Sequence, residues 1–533
     1  MSTCNRRRFG HRLGLATLLV LWSPSLLAAQ ERLWFRKGDV NSAGFGEAMA
    51  PWVDADGDGL VDVLVAEVGA PCDTPGTSKV HLLAGDDGGE LEPFCFSPDL
   101  PAYAEEICRL GDVDGDGVVD LAFGNPYHDQ PDPGSDAGAV FVISGATREL
   151  LYSRVGELSF ARFGFSLAAI DDVDEDGAGD LLVGSPSFEP HNEKGAAYVY
   201  SARTGALLRS YYGVADSEAL GANVSRLGDL DADGMSDYAI TAWLGGSSNT
   251  KGRVVACSGA TGTELMRWEG SGEYTGFGRA IADIGDFDRD GHDDLLVGAA
   301  FVDKTAGAVY CYSGATGGLL FELRGDRRRD SFGVPIVNLG DMNGDTFPEI
   351  LVGANSDDHD GPEAGAAFLF SLKTLRPLYR FYPGFAGGQQ GWRIGGGADL
   401  DGDGIPDGLV AMAHTLNNRG KPFGKEAVFA FAGNDLFLQA SDPQIAPGEV
   451  VTLETRGGEP GALTLLVLVD VSGTKTFLPL ALATLDSNGE ASFEGCAPDD
   501  SLGLDFTLRA WAQKHADGSG GIIDSGKETV SVR

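Results

Sequence analysis

Seven times, at near-constant spacing, the chain carries an aspartate-rich segment of the form D-x-D-x-D-G-x-x-D or a close variant. The copies begin at Asp54, Asp112, Asp172, Asp229, Asp286, Asp341 and Asp399, in steps of 58, 60, 57, 57, 55 and 58 residues. A single acidic loop constrains little. Seven in register require a repeat protein in which each unit presents the same carboxylate cluster.

The third copy shows what one unit builds. Phe163 to Ile170 reads as a strand, and the acidic loop Asp172 to Asp180 follows. Leu181 to Gly184 reads as a second strand and Ala196 to Tyr200 as a third. Arg203-Thr204-Gly205 turns the chain, and Leu207 to Tyr212 is a fourth. Four short strands in fewer than sixty residues describe an antiparallel blade. Each blade has apolar faces that need neighbours, so the pattern predicts an all-β fold, a seven-bladed β-propeller spanning residues 31–433. The seventh unit lacks a fourth strand. Leu33-Trp34-Phe35-Arg36-Lys37-Gly38-Asp39 resembles the fourth-strand segments Leu150 to Glu157 and Leu320 to Asp326. The N-terminal strand is therefore expected to complete the last blade and close the ring.

Residues 434–533 carry no acidic repeat. Alternating stretches such as Leu504 to Ala510 predict a small β-sandwich of immunoglobulin-like type. Residues 1–29 read as a signal peptide. Arg6, Arg7, Arg8 and Arg12 form a basic start, Leu13 to Trp22 a short apolar run, and Ala28-Ala29 a cleavage site. The apolar run is too short for a comfortable membrane anchor. Arg6-Arg7-Arg8-Phe9 also resembles a twin-arginine signal, so the export route stays open. No later apolar stretch is long enough to span a bilayer. The mature chain is expected to be monomeric and secreted, periplasmic or held at the cell surface.

The acidic loops explain the unusual charge. The net charge is -40, which disfavours nucleic acid and anionic membranes as partners. The first, third, fifth and ninth positions of the seven loops hold 27 of the 79 acidic residues, so much of the acidity belongs to one repeated device. In the first loop Asp54, Asp56, Asp58 and Asp62 can converge, with the carbonyl of Leu60 as a fifth oxygen. Left empty, such a cluster repels itself. Ca²⁺ takes six to eight oxygens in irregular geometry and suits it better than Mg²⁺. The equivalent sets are Asp112, Asp114, Asp116, Val118 and Asp120, then Asp172, Asp174, Asp176, Ala178 and Asp180. The fourth is Asp229, Asp231, Asp233, Met235 and Asp237, and the fifth is Asp286, Asp288, Asp290, His292 and Asp294. The seventh is Asp399, Asp401, Asp403, Ile405 and Asp407. The sixth departs, with Asp341, Asn343, Asp345, Phe347 and Glu349, and with Thr346 in place of glycine. It is expected to be the weakest site or empty.

The Phe-Gly opening, the acidic loop, and the glycine that precedes Ala-Ala, Ser-Pro or Asn-Pro resemble the FG-GAP repeat of integrin alpha-chain propellers. The resemblance implies seven blades, Ca²⁺ in the loops joining first and second strands, and ligand contact on the opposite face. Bacterial secreted proteins use the same repeat, often with a C-terminal β-sandwich. Nothing here resembles the rest of an integrin.

By strand alternation, the loops joining second and third strands lie opposite the acidic loops, and they vary from copy to copy. This plan suits binding of an extracellular protein or glycan. His128, His191, His359 and His414 fall in these loops, so an extracellular polysaccharide lyase or hydrolase is the competing class. Their spacing puts each on a different blade, which leaves ordinary loop histidines as the simpler reading and no catalytic residue to assign. Arg324-Gly325-Asp326 spells an adhesive tripeptide, but it aligns with Lys37-Gly38-Asp39 and Val155-Gly156-Glu157, so the repeat accounts for it. Among the cysteines, Cys72, Cys95 and Cys108 are the best placed for a disulfide, whereas Cys257 and Cys311 read as buried thiols.

Overall fold

A computed structural model describes residues 32–38, 44–67, 78–96, 104–129, 135–187, 194–215, 218–244, 251–272, 274–325, 327–383, 385–413 and 426–433, together with the backbone of strands between 437 and 532. Residues 1–29, expected to be a signal peptide, and His191, His414 and Cys72 lie outside the described residues.

Arg32–Gly433 forms one compact unit of seven four-stranded antiparallel sheets, each following chain order from first strand to fourth except where the chain closes on itself. The third blade runs Ser166–Ile170, Asp180–Ser185, Ala196–Tyr200 and Leu207–Tyr212. Its first strand begins later than the expected Phe163. Gly164 sits at φ +84°, and Phe163 pairs instead with Gly138 of the preceding blade. In this blade the Phe-Gly pair is thus an interblade joint that precedes the strand, whereas in the first and fifth blades the strands Phe45–Pro51 and Phe277–Asp283 include it.

The first strands are Phe45–Pro51, Glu106–Gly111, Ser166–Ile170, Leu220–Arg226, Phe277–Asp283, Ile336–Gly340 and Gln390–Ala398. Each packs against the next, and the last packs against the first. They form the inner wall of a closed seven-bladed propeller. Second strands such as Val63–Glu67 and Asp180–Ser185 are buried throughout. This is why they read as unbroken apolar runs: blades cover both of their faces.

The glycines of the repeat have a steric cause. A Cβ on Gly184, at the end of a second strand, would lie 2.0 Å from the carbonyl oxygen of Gly221 in the next blade. Gly221 itself is at φ +85°, a region that costs other residues. The opening glycine of one unit and the second-strand glycine of its neighbour are two halves of one backbone contact.

Ring closure follows the sequence expectation. Arg32–Lys37 pairs antiparallel with Ala427–Phe431 and supplies the missing fourth strand. The seam repeats the contact used between other blades. Trp34 Nε1 donates to the Gly85 carbonyl at 2.7 Å, as Tyr152 Oη does to Ala202 and Arg209 Nη1 to Gly259, each also at 2.7 Å. Charges add to it. Glu90 of the first blade meets Arg36 on the closing strand as well as Lys79. Buried His81 bridges Glu67 at 2.7 Å and Glu90 at 3.0 Å. Glu426 accepts the Phe45 N–H across the seam, and burial pushes its carboxyl up to about 7, with Glu47 and Glu67 adding repulsion.

Beyond the propeller, Phe437–Ala440, Val450–Arg456 and Ala491–Cys496 form a three-stranded sheet. Leu463–Val471, Thr474–Thr484 and Asp505–Gln513 are the longest strands of a second, six-stranded sheet. The backbone therefore holds two sheets where a sandwich is expected.

Two predictions concern the seam. Deleting residues 32–40 exposes the edge of Ala427–Phe431 and causes aggregation. An unchanged melting curve with monomeric elution would contradict this. Because the folded pKa of Glu426 is raised, its contribution is full below the unfolded value near 4.5 and is lost as pH rises through about 7. Glu426→Gln should therefore raise the melting temperature at pH 8 and leave it nearly unchanged at pH 4.5. Equal shifts at both pH values would refute the assignment.

Candidate metal sites and the opposing face

Each acidic loop is folded by its own aspartates. Asp54 Oδ1 accepts the N–H groups of Gly57 at 2.6 Å and Asp58 at 3.1 Å, and Oδ2 accepts that of Gly59 at 2.9 Å. Asp56 accepts from Asp58, and Asp58 accepts from Leu60 at 2.8 Å. These side-chain-to-backbone bonds explain why short carboxylates alternate with turn formers. The first aspartate accepts the fifth- and sixth-position N–H groups likewise in the loops of Asp112, Asp172, Asp229, Asp286 and Asp399. The seventh-position residues Val118, Ala178, Met235, His292 and Ile405 donate their N–H groups to Asp116, Asp176, Asp233, Asp290 and Asp403, as Leu60 does to Asp58.

The loops bring carboxylates together. Oxygens of Asp54, Asp56 and Asp58 lie within 4.8 Å of one another, as do those of Asp112, Asp114 and Asp116, and of Asp286, Asp288 and Asp290. In the third and fourth blades the convergent sets are Asp172, Asp174 and Asp180, and Asp229, Asp231 and Asp237. Every donor is a hard oxygen, a set that fits a hard divalent cation.

The ninth-position carboxylate differs from the others, because it is fully buried in every blade. Asp62 accepts the Ala55 N–H at 2.8 Å and the Gly85 N–H at 3.3 Å, tying the acidic loop to the turn between third and fourth strands. Asp120, Asp237, Asp294 and Asp407 make the same pair of bonds, to Gly145, Gly259, Gly314 and Gly433. Burial pushes Asp180, Asp237 and Asp294 up to about 6 and Asp407 up to about 7, with the other loop aspartates adding to the effect. A neighbouring positive charge would relieve this cost.

The sixth loop keeps the fold and changes the chemistry. Asp341 accepts from Gly344, Asp345 and Thr346 as its counterparts do. Thr346 is held at φ +71°, where the six complete loops place glycine. Asn343 Nδ2 donates to Glu349 Oε1 at 2.6 Å, the Phe347 N–H goes to Asp345, and Lys373 Nζ stands 3.9 Å from Asp345. Burial pushes Glu349 up to about 8. An amide and an ammonium supply internally some of the positive character that a cation would bring.

The opposite face carries residues that the sequence reading missed. The residue after each opening glycine lies at the entrance to an inner strand there, which places Glu47, Phe165, Arg279 and Trp392 at equivalent repeat positions. The Arg279 guanidinium lies over Trp243 and Phe301, at 5.2 and 5.0 Å from their ring centres, and those two rings meet edge to face at 6.3 Å. Arg393 reaches Glu47 at 3.1 Å, and burial pushes Glu106, near Arg393, up to about 7. Aligning the repeats one residue past the glycine would have flagged this set.

The described histidines do not assemble a shared site. His128 packs edge-on against Phe141 and His359 stacks on Tyr382 at 4.2 Å, each against a ring of its own blade. Gly325 of the Arg324-Gly325-Asp326 segment donates to the Gly307 carbonyl, as Gly156 does to that of Gly138. The repeat geometry thus accounts for Gly325, and Arg324 pairs with Asp303 and Glu322. Cys95 is disulfide-bonded. Cys108 is instead a free buried thiol, as are Cys257 and Cys311: it points into an apolar cluster with Val140 and Phe163.

Comparisons with known proteins agree with the repeat. A family model of the FG-GAP repeat matches residues 109–143, 163–200 and 278–312, and a model of an FG-GAP-like repeat matches 54–123. The chain is 29% identical to integrin alpha-V of Gallus gallus over 260 residues, 46% of this chain and 24% of that one. It is 31% identical to integrin alpha-5 of Xenopus laevis over 223 residues, 38% and 20% of the two chains. It spans about a quarter or less of the length of these relatives. Among solved structures, a fungal alcohol oxidase of the AA5 family aligns at TM-score 0.44 and the Dos1 propeller at 0.43, each 12% identical, covering 94% and 75% of this chain and 99% and 95% of theirs. At that similarity neither bears on activity. With its seven blades and its Phe-Gly joints, the propeller is an FG-GAP repeat β-propeller of the integrin-alpha-like kind.

Proposed function

We propose that the chain is an exported, Ca²⁺-stabilised propeller that binds an extracellular protein or glycan without transforming it. The convergence of alternating carboxylates in loop after loop carries the metal part of this reading. In each complete loop the first, third, fifth and ninth carboxylates and the carbonyl of the seventh residue would hold the ion. The ion would lock the loop and offset the repulsion around the buried ninth carboxylate. The sixth loop, which already has Asn343 and Lys373, binds most weakly.

The binding part rests on division of labour between faces. The acidic loops repeat, while the opposite face varies and displays the Arg279 stack on Trp243 and Phe301. A guanidinium over aromatic rings offers both a stacking surface and hydrogen-bond donors. The integrin alpha relatives support an extracellular binding module of this general plan.

Chelation tests the metal role. Each occupied site adds about 2.7 kcal/mol when Ca²⁺ is ~100-fold above its Kd, so removing the ion should lower the melting temperature substantially. Identical melts in Ca²⁺ and in chelator would refute it. Asn343→Asp combined with Thr346→Gly rebuilds the sixth loop. It should leave stability in chelator the same or lower and enlarge the Ca²⁺-induced rise. A Ca²⁺ response equal to wild type would count against the ligand assignment. A glycan array probed with wild type and Trp243→Ala, followed by product analysis, addresses the opposite face. Retention weakened several-fold by the substitution, with the glycan intact, is the expected result, and cleavage products would favour a polysaccharide-degrading enzyme.

A further inference from the structure

One seam between blades is left unfilled. The fourth strands of the second to fifth blades are Leu150–Val155, Leu207–Tyr212, Glu264–Glu269 and Leu319–Arg324. Within them Arg154, Tyr211, Trp268 and Leu323 pair with Val140, Ala197, Val254 and Val309 of the third strands, so the four share one repeat position. Three of them cross to the next blade and donate to the turn between its third and fourth strands. Arg154 Nε reaches the Gly205 carbonyl at 2.8 Å, Tyr211 Oη that of Gly262 at 3.0 Å, and Trp268 Nε1 that of Gly317 at 3.1 Å. Leu323 is short and carries no donor. The equivalent turn residue in the sixth blade is Leu375, whose N–H closes on Ser371 as that of Gly317 closes on Ser313.

Leu323 and Leu375 line a cavity of about 220 Å³, far above the about 15 Å³ that one water needs. Its apolar wall is Phe332, Phe368 and Phe370, with the Phe332 ring 5.6 Å from each of the other two. In the fifth blade the same wall is Phe277, Tyr310 and Tyr312. There Trp268 packs against Tyr312 at 5.9 Å, in the place that Leu323 leaves open.

The polar part of the lining is balanced. It holds Glu322, Arg324, Asp330 and Arg380. Arg324 pairs with Glu322 at 2.7 Å, and the Arg380 guanidinium lies over the Phe368 ring at 5.6 Å. Two acids and two arginines suit a ligand without net charge. Asp330 adds an acceptor that lacks a donor. It lies two residues before Phe332 and is 2% exposed. Its Oδ2 accepts the Arg327 N–H at 3.2 Å, whereas Oδ1 is buried with no hydrogen-bond partner among the described residues. The fourth blade shows the satisfied alternative. Glu218, two residues before Leu220, accepts the N–H groups of Val214 and Ala215 at 2.7 and 2.9 Å through Oε2, and its Oε1 meets Arg253. A buried carboxylate oxygen left without a donor is costly.

We propose that the seam between the fifth and sixth blades binds a neutral sugar residue, its C–H face on the phenylalanine wall and a hydroxyl donating to Asp330 Oδ1. A pyranose joins an apolar face to hydroxyls that both donate and accept, which matches aromatic rings beside a few polar groups. Arg380 offers donors to the remaining hydroxyls. The site shares no residue with the Arg279 stack, so the two binding readings stand or fall separately.

The test uses the full chain in Ca²⁺ and the methyl glycosides of glucose, galactose, mannose and N-acetylglucosamine as probes. Saturation-transfer NMR detects contact and calorimetric titration gives Kd. At least one probe should bind wild type. Leu323→Trp rebuilds the contact that Trp268 makes, so it should melt at or above the wild-type temperature and lose binding. Asp330→Asn should weaken binding about tenfold, and Trp243→Ala should leave it unchanged. No saturation transfer from any of the four probes would overturn the proposal, as would equal affinity in folded Leu323→Trp or a loss caused by Trp243→Ala. If Leu323→Trp does not fold, Asp330→Asn decides, and an unaltered Kd in that variant overturns the site.

Discussion

A carboxylate with almost no exposure, at the ninth position of every acidic loop, is the interaction on which the acidic-loop face of the propeller depends. Asp62 binds the loop it closes and the Gly85 N–H of the neighbouring turn. The carbonyl of the same Gly85 receives Trp34 from the adjoining blade. Asp237, Gly259 and Arg209 repeat that relay. One buried acid thus organises a loop, a turn and a blade interface. Its cost is desolvation of a negative charge, and burial accordingly raises its pKa in blade after blade. The exposed aspartates around it increase that cost, which a bound cation would offset.

Much of this was legible in the sequence because the repeat is strict where backbone geometry demands it. The spacing of the acidic loops counted the blades. The likeness of Leu33 to Asp39 to other fourth strands located the closure, and the Trp34 contact shows why the likeness exists. The start of the third blade's first strand was misplaced, because Phe163 and Gly164 look like strand residues but serve as a joint. That role depends on a carbonyl of another blade, which no local pattern reveals. Cys108 looked like a disulfide candidate by proximity in sequence, yet its side chain is committed to an apolar cluster between blades.

The opposite face was less legible for a related reason. Its residues differ between copies, so periodicity says where they start but not what they do. Arg279 gains meaning only beside Trp243 and Phe301, which come from different loops. Asp330 and Glu218 share a repeat position, yet their surroundings diverge: Glu218 meets Arg253, whereas Asp330 lines a cavity. Comparison of repeats within one folded chain isolates such differences, since backbone and burial are held nearly constant. The acidic face is uniform because one set of backbone bonds recurs in every loop, while the residues of the other face change from copy to copy.

The most direct measurement is a crystal structure of the full chain grown in Ca²⁺, with anomalous scattering used to locate the ions. The account predicts a peak in each of the six complete loops, bounded by the first, third, fifth and ninth carboxylates and the seventh carbonyl, and none in the loop of Asp341. Loops closed only on their own N–H groups, with no anomalous density among the carboxylates, would contradict it.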